Sequence, residues 1–237
     1  MHTPPLEAIL HKFKGKFASV MPFSLRRKRL CYIDLSSDNK ALTLDIVSST
    51  RHFSAYISAY THSRRAELAI GKYAEDRSIY RKSTHFTPTG EEPRTVHLGV
   101  DIWVEMGTPV HTPLEGKVHS FADNDIYGDY GPTIILEHQL NGVVFHTLYG
   151  HLSKESLTGK RVGMPLSSGE QFASLGAATE NGQWPSHLHF QIISQIGSWA
   201  GDFPGVAKLS EKQQWLERSP DPSLILGIPT REAQRVP

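Results

Sequence analysis

The chain has one cysteine, Cys31, in 237 residues. A lone thiol closes no intrachain disulfide and builds no cysteine-rich zinc site. No apolar run approaches the ~18 residues that a membrane span needs. The sequence has no His-Glu-x-x-His helix and no Gly-x-Ser-x-Gly elbow, and the glycine-rich stretch Gly128–Gly131 lacks the phosphate-loop pattern. These absences remove the commonest zinc-protease motif, the serine-hydrolase elbow and a nucleotide-binding loop. The order expected of a secretory signal is also missing. Lys12, Lys14 and Lys16 interrupt Ala8–Phe23, and the basic run Arg26–Arg29 follows that stretch instead of preceding it. A cytoplasmic location is therefore expected, in keeping with the single cysteine.

What is present is a globular composition, 38% hydrophobic and 21% charged with a formal net charge of +1. The length suits one large domain or one domain with an appendage. Charge is unevenly placed. Residues 1–95 hold 16 Lys/Arg against 9 Asp/Glu, and residues 96–237 hold 9 against 15. We read this as attraction between the two parts or as ordinary solvated faces, and expect no nucleic-acid partner and no membrane span. Of the 13 histidines, 9 lie between His85 and His189, and that concentration directs the search for chemistry.

The first part reads as an extension, residues 1–85. Thr3 followed by Pro4 and Pro5 suggests a helix start. Leu6, Ile9, Leu10, Phe13, Phe17, Val20 and Met21 recur at helical spacing. Residues 31–35 and 42–47 look like strands around an Asp38-Asn39 turn, and a second helix is expected from about Thr50 to Leu68. His52, His62 and His85 are isolated and read as surface or packing residues. Ser83 to Pro93, rich in Thr, Pro, Gly and Glu, marks a boundary.

Residues 86–237 read as a mainly β domain with a tail. Candidate strands are 96–103, 108–112, 116–121, 132–139, 143–150, 171–175 and 187–194. Asn141-Gly142 favours a two-residue hairpin turn. That turn sets a register in which Leu140 faces Val143, Leu136 faces Thr147 and Ile134 faces Tyr149. His151 then stands at the open end of the hairpin and His138 near its turn, ~20 Å away. Near the C-terminus, Ser210 with Gln213 suggests a capping box opening a helix through Arg218, ended by Pro220 and Pro222. Leu224-Ile225-Leu226 offers an apolar anchor, and Trp199, Phe203 and Trp215 read as packing residues.

Two clusters carry chemistry. In His187-Leu188-His189, alternate residues face one way ~6.6 Å apart, so both imidazoles can reach one metal-sized point. In His97-Leu98-Gly99-Val100-Asp101, the two polar residues share parity but are ~13 Å apart on a straight strand. They converge only if the backbone bends, and Gly99 permits a bend. Imidazole and carboxylate suit zinc, with three protein ligands and an open position in catalytic sites. Four candidate ligands would thus leave one for proton transfer, and spacing alone does not say which.

Taken together, residues 96–193 resemble the lysostaphin/LytM-type zinc metallopeptidases. The resemblance rests on His97-Leu-Gly-Val-Asp101, on Gly107-Thr-Pro-Val110 with Pro113-Leu-Glu-Gly116-Lys-Val118, on Tyr149-Gly-His151-Leu-Ser153, and on Ser186-His187-Leu-His189-Phe190. It implies an antiparallel barrel-sandwich hybrid core. It also implies Zn²⁺ held by His97, Asp101 and His189, with His151 and His187 as catalytic residues beside a metal-activated water. The activity implied is hydrolysis of a peptide bond in a peptidoglycan-type crosslink or related peptide. Ala177–Pro185 replaces the family's glycine-rich stretch, and Trp184 and Pro185 are expected to stiffen and reshape the groove. The run from about His97 to Pro229 looks most like a subgroup fused to kinase-like and class III aminotransferase domains. That subgroup motivates the alternative of a non-peptide cytoplasmic metabolite as substrate. A non-catalytic module using the same fold is a further alternative, although such modules lack ligands that this chain keeps.

Overall fold

A computed structural model describes residues 5–82, 86 and 89–228. Thr3, Pro4 and His85, and part of the expected boundary at 83–93, lie outside them. The described residues form twelve strands and five α-helices. The helices are α1 (Leu6–Lys12), α2 (Leu44–Ser48), α3 (Thr50–Ser63), α4 (Lys212–Arg218) and α5 (Ser223–Leu226). The strands are β1 (Leu30–Ile33), β2 (Leu68–Gly71), β3 (Arg94–His97), β4 (Val100–Trp103), β5 (Pro109–His111), β6 (Gly116–Asn124), β7 (Gly131–Leu140), β8 (Val143–Gly150), β9 (Pro165–Leu166), β10 (Gln171–Ser174), β11 (His187–Ile193) and β12 (Val206–Lys208).

Eight strands make the main sheet in the order β1-β2-β4-β11-β8-β7-β6-β9, and β10-β5 and β12-β3 are separate pairs. Among the described residues only β1 and β2 run parallel, and every other strand pairing is antiparallel. The mainly β, antiparallel expectation is met. Among the described residues the sheet does not close into a barrel, because β1 and β9 end it as edges.

The β7–β8 hairpin has the register set by its Asn-Gly turn: Leu140 pairs with Val143, Leu136 with Thr147 and Ile134 with Tyr149. Asn141 and Gly142 both have positive φ, +51° and +81°, as that turn requires. Ile134, Leu136, Phe145 and Tyr149 are fully buried in the principal apolar cluster with Val118, Leu188, Phe190 and Ile192. The expected tail anchor Leu224-Ile225-Leu226 joins the same cluster. His138, far from the open end of the hairpin, is packed away with its ring nitrogens against Glu115 O (3.0 Å) and Thr147 Oγ1 (2.7 Å).

Several local expectations need correction. The first helix stops at Lys12, and Gly15 at φ +91° turns the chain soon after; Val20 and Met21 are buried beyond the helix, not on it. Residues 42–47 are not a strand. Thr43 Oγ1 accepts from Ile46 N and caps α2 instead. β1 pairs with β2, from the end of the expected second helix, which closes at Ser63 after being capped by Ser49. Ser210 makes no capping box, since its N–H and hydroxyl bond the Glu92 carboxylate, while α4 still ends at Arg218. The expected strand 96–103 is two strands broken at Leu98-Gly99, and this break builds the site.

Candidate metal centre

After Gly99 the chain changes sheets. β3 pairs with β12, placing His97 opposite Val206, whereas β4 pairs with both β2 and β11. In β11, Leu188, Phe190 and Ile192 enter the apolar core while His187, His189 and Gln191 alternate onto the opposite face. Antiparallel register then sets His189 directly across from Asp101. Gly99 is needed for close approach: a Cβ there would sit 2.5 Å from His189 Cε1 and 2.6 Å from its Nε2. The bend predicted to bring His97 and Asp101 together is present.

Three donor atoms converge. His97 Nε2 and His189 Nδ1 are 3.0 Å apart, and Asp101 Oδ1 lies 3.2 Å from the first and 3.3 Å from the second. Tetrahedral zinc with bonds of ~2.0–2.1 Å separates its ligands by roughly 3.3–3.4 Å. The triangle therefore matches one face of such a site. All three residues are buried.

The surrounding hydrogen bonds decide what those atoms offer. His97 Nδ1 faces the Lys72 carbonyl at 2.9 Å, and a carbonyl only accepts, so Nδ1 carries the proton and Nε2 a lone pair. Gln191 donates its amide N–H groups to Pro204 O and Ser219 Oγ, which leaves Oε1 to accept from His189 Nε2 at 3.0 Å. His189 Nδ1 then also presents a lone pair. Two imidazole lone pairs and a carboxylate oxygen point at one another with no hydrogen between them. A cation at their centre relieves that repulsion, so the residues present fit a divalent metal.

His151 and His187 stand beside this triangle, with ring centroids 4.2 Å apart. His187 Nδ1 donates to Pro185 O (2.7 Å) and His151 Nδ1 to Asn181 O (2.9 Å), which frees both Nε2 atoms as acceptors. His187 Nε2 is 3.8 Å from Asp101 Oδ1, and the Trp103 ring stacks on the imidazole at 4.1 Å. His151 follows β8, as the hairpin register requires, in the left-handed region at φ +62°. Hydrogen bonds from its N–H to Tyr130 O and from Gly176 N–H to its carbonyl hold that strained geometry.

Burial dominates the titration of His97, His151 and His187. It lowers His97 to about 4, with Arg77 adding to the effect, and lowers His187 to about 4. Burial followed by the charges of His187 and His189 takes His151 well below the usual imidazole range. Burial opposes ionisation of Asp101, yet His97 and Arg77 outweigh it and hold the carboxyl well below its ordinary value. At neutral pH Asp101 is an anion, and His97, His151 and His187 are neutral.

The site opens into a cavity of about 100 Å³ lined by Asp101, His151, His187 and His189, with an aromatic wall that includes Tyr80, Tyr130, Trp184 and Trp199. Trp184, from the stretch expected to reshape the groove, meets Tyr80 edge-on at 6.2 Å. Trp199, 39% exposed, and Phe203 both line the cavity, and the three rings pack in series, Trp199 on Phe203 at 6.0 Å and Phe203 on Trp215 at 5.9 Å.

Sequence reasoning missed Arg77, Gln191 and Tyr130. Gln191 shares the parity of His187 and His189, and that alternation could have found it. Tyr130 has its hydroxyl 3.5 Å from His189 Nε2. Nothing local marks Arg77, whose guanidinium reaches Asp101 Oδ2 at 2.6 Å from outside the β domain's motifs.

Residues 95–199 match the model described as peptidase family M23, a stretch containing all five predicted site residues. The narrower subgroup with fused kinase-like and aminotransferase domains is not shown. Among individual proteins, the chain is similar to peptidoglycan DD-endopeptidase ShyB of Vibrio cholerae, at 28% identity over 155 residues that cover 62% of this chain and 34% of that protein. The chain spans about a third of the length of the curated relatives it matches. Among solved structures, a zinc containing peptidase from Vibrio cholerae is 29% identical with a TM-score of 0.35, covering 44% of this chain and 29% of that one. The catalytic domain of the antimicrobial peptidase lysostaphin from Staphylococcus simulans is 25% identical with a TM-score of 0.36, covering 51% and 80%.

Proposed function

We propose that this chain is a zinc-dependent endopeptidase that hydrolyses a peptide bond of a peptidoglycan-type crosslink or a related peptide. The observation that carries the reading is the convergence of two imidazole lone pairs and one carboxylate oxygen at mutual distances of 3.0–3.3 Å. The peptidoglycan substrate is supported by the activity named for the curated relatives.

His97, Asp101 and His189 would hold the ion. Zinc, when bound, would supply Lewis acidity toward the scissile carbonyl and lower the pKa of a bound water toward ~7. The remaining work falls to the chain. His187 and His151 present unprotonated Nε2 atoms at neutral pH, suited to accept a proton from the attacking water and, once protonated, to steady the oxyanion. The bonds to Pro185 O and Asn181 O fix both rings in the required tautomer, and the stack on Trp103 holds the plane of the His187 ring. The aromatic wall of the cavity limits water around the reacting groups.

The test is metal analysis of the purified protein, then assays on crosslinked muropeptides and glycine-rich peptides beside small non-peptide amides. Stoichiometric zinc with cleavage of the peptides is expected. Cleavage of the small amides alone would move the assignment to a metabolite hydrolase. Tight zinc with no turnover on any substrate would favour a binding module.

A further inference from the structure

Asp101 uses only one of its oxygens in the donor triangle. The other, Oδ2, is taken by Arg77 NH1 at 2.6 Å. Arg77 is 1% exposed, an unusual position for a guanidinium. It is held there by a full set of partners: Nε donates to Glu75 Oε2 (3.1 Å), NH1 also to Tyr80 Oη (3.0 Å), and NH2 to the Lys72 carbonyl (3.3 Å). The backbone is cut to fit. Gly71 pairs with Asp101 across β2 and β4, and a Cβ on it would lie 2.7 Å from Arg77 NH2 and 2.8 Å from Asp101 Oδ2. Arg77 and Lys72 both precede residues 95–199, the stretch that matches the peptidase family.

We infer that Arg77 is a positioning residue that restricts Asp101 to one-oxygen ligation, and that the segment 71–77 is thereby an integral part of the metal centre. This rests on the metal reading above. A free carboxylate can chelate one ion through both oxygens. Occupying Oδ2 with a buried, fully partnered cation prevents this and reserves a coordination position for water and substrate. The same positive charge draws electron density from Asp101 and repels the ion. Arg77 thus weakens metal binding in exchange for an open site. A residue that merely propped the site up would have the opposite effect on affinity when removed.

The experiment compares the wild-type protein with Arg77→Met and Arg77→Lys. Arg77→Lys keeps the positive charge but loses the planar fork that bonds Asp101, Tyr80, Glu75 and the Lys72 carbonyl at once, so it carries the test if Arg77→Met does not fold. Zinc affinity is read by chelator competition, ligand number by the visible absorption of the Co²⁺ form, and turnover on a peptide substrate. The expected result is a zinc dissociation constant equal to wild type or lower, with turnover down at least ~10-fold. Co²⁺ absorption should fall as a fourth protein donor, the second Asp101 oxygen, enters its coordination sphere. Zinc affinity and turnover lost in parallel would make Arg77 a structural prop and overturn the inference. So would three unchanged readouts. Wild-type protein that binds no divalent metal overturns the metal reading and this one with it, whereas zinc-binding wild type with unaltered variants overturns this one alone.

Discussion

His97 Nε2 and His189 Nδ1 stand 3.0 Å apart, each with its other ring nitrogen already committed as a donor, to Lys72 O and to Gln191 Oε1. Neither can donate to the other while both rings are neutral. The pair is thus built for a third body, and its substitution should separate binding from turnover. His97→Ala and His189→Ala are expected to lose both zinc and activity. His151→Ala should keep stoichiometric zinc and lose ~10²–10⁴-fold in kcat. Metal content measured beside kcat decides, and full zinc occupancy in His97→Ala would falsify the ligand assignment.

Gln191 fixes the tautomer of His189 by accepting from its Nε2. Gln191→Leu removes that acceptor and strands Pro204 O and Ser219 Oγ. Zinc affinity should fall ~10–100-fold, as is usual when a partner of a ligating histidine is lost. Competition with a fluorescent chelator measures it, and unaltered affinity would show that the tautomer is set elsewhere.

Gly99→Ala puts a methyl into the His189 ring, with no backbone of positive φ to complicate the outcome. The ring must move off the triangle. Zinc binding should weaken at least ~10-fold while the thermal unfolding of the metal-free protein changes less than in a core deletion. A variant with wild-type zinc affinity would mean that the strand break tolerates a side chain.

Acid should destabilise the fold through histidines remote from the metal. Burial lowers His138 to about 4, against ~6.5 for an unfolded histidine. Between those values the unfolded chain binds a proton that the native ring refuses. Stability is therefore complete above pH ~6.5, falls as pH drops through this window, and stops falling on this account below about 4. His138→Gln should flatten the slope between pH 6.5 and 4.5 by up to about 1.4 kcal/mol per pH unit. Urea midpoints of the two proteins at several pH values test it; identical slopes would exclude His138 as a source.

Where sequence reasoning worked, a local rule had no competitor. Asn141-Gly142 admits few turns, so one dipeptide set the pairing of Ile134 with Tyr149 and put His151 and His138 at opposite ends of the hairpin. Where it failed, a short apolar run was ambiguous. Residues 42–47 have the composition of a strand, but Thr43 offered a cap, and its hydroxyl accepts from Ile46 N to open a short helix. The apolar spacing through Met21 was a record of burial, and Gly15 had already ended the helix.

Four of the polar residues around the centre, His97, Asp101, His187 and His189, were legible from the sequence because they lie at spacings of two and four residues, where side-chain direction on a strand follows from parity, whereas His151 and the division of roles came from the family resemblance. Which nitrogen faces the centre, and what holds it there, was settled only by tertiary structure. Lys72 O and Arg77 act on His97 and Asp101 from a segment more than twenty residues away, and Gln191 is oriented by Pro204 O and Ser219 Oγ. Hydrogen bonds to a carbonyl or a guanidinium leave no periodic trace in sequence. A strand pattern reports which way a side chain points, and only packing reports what it meets.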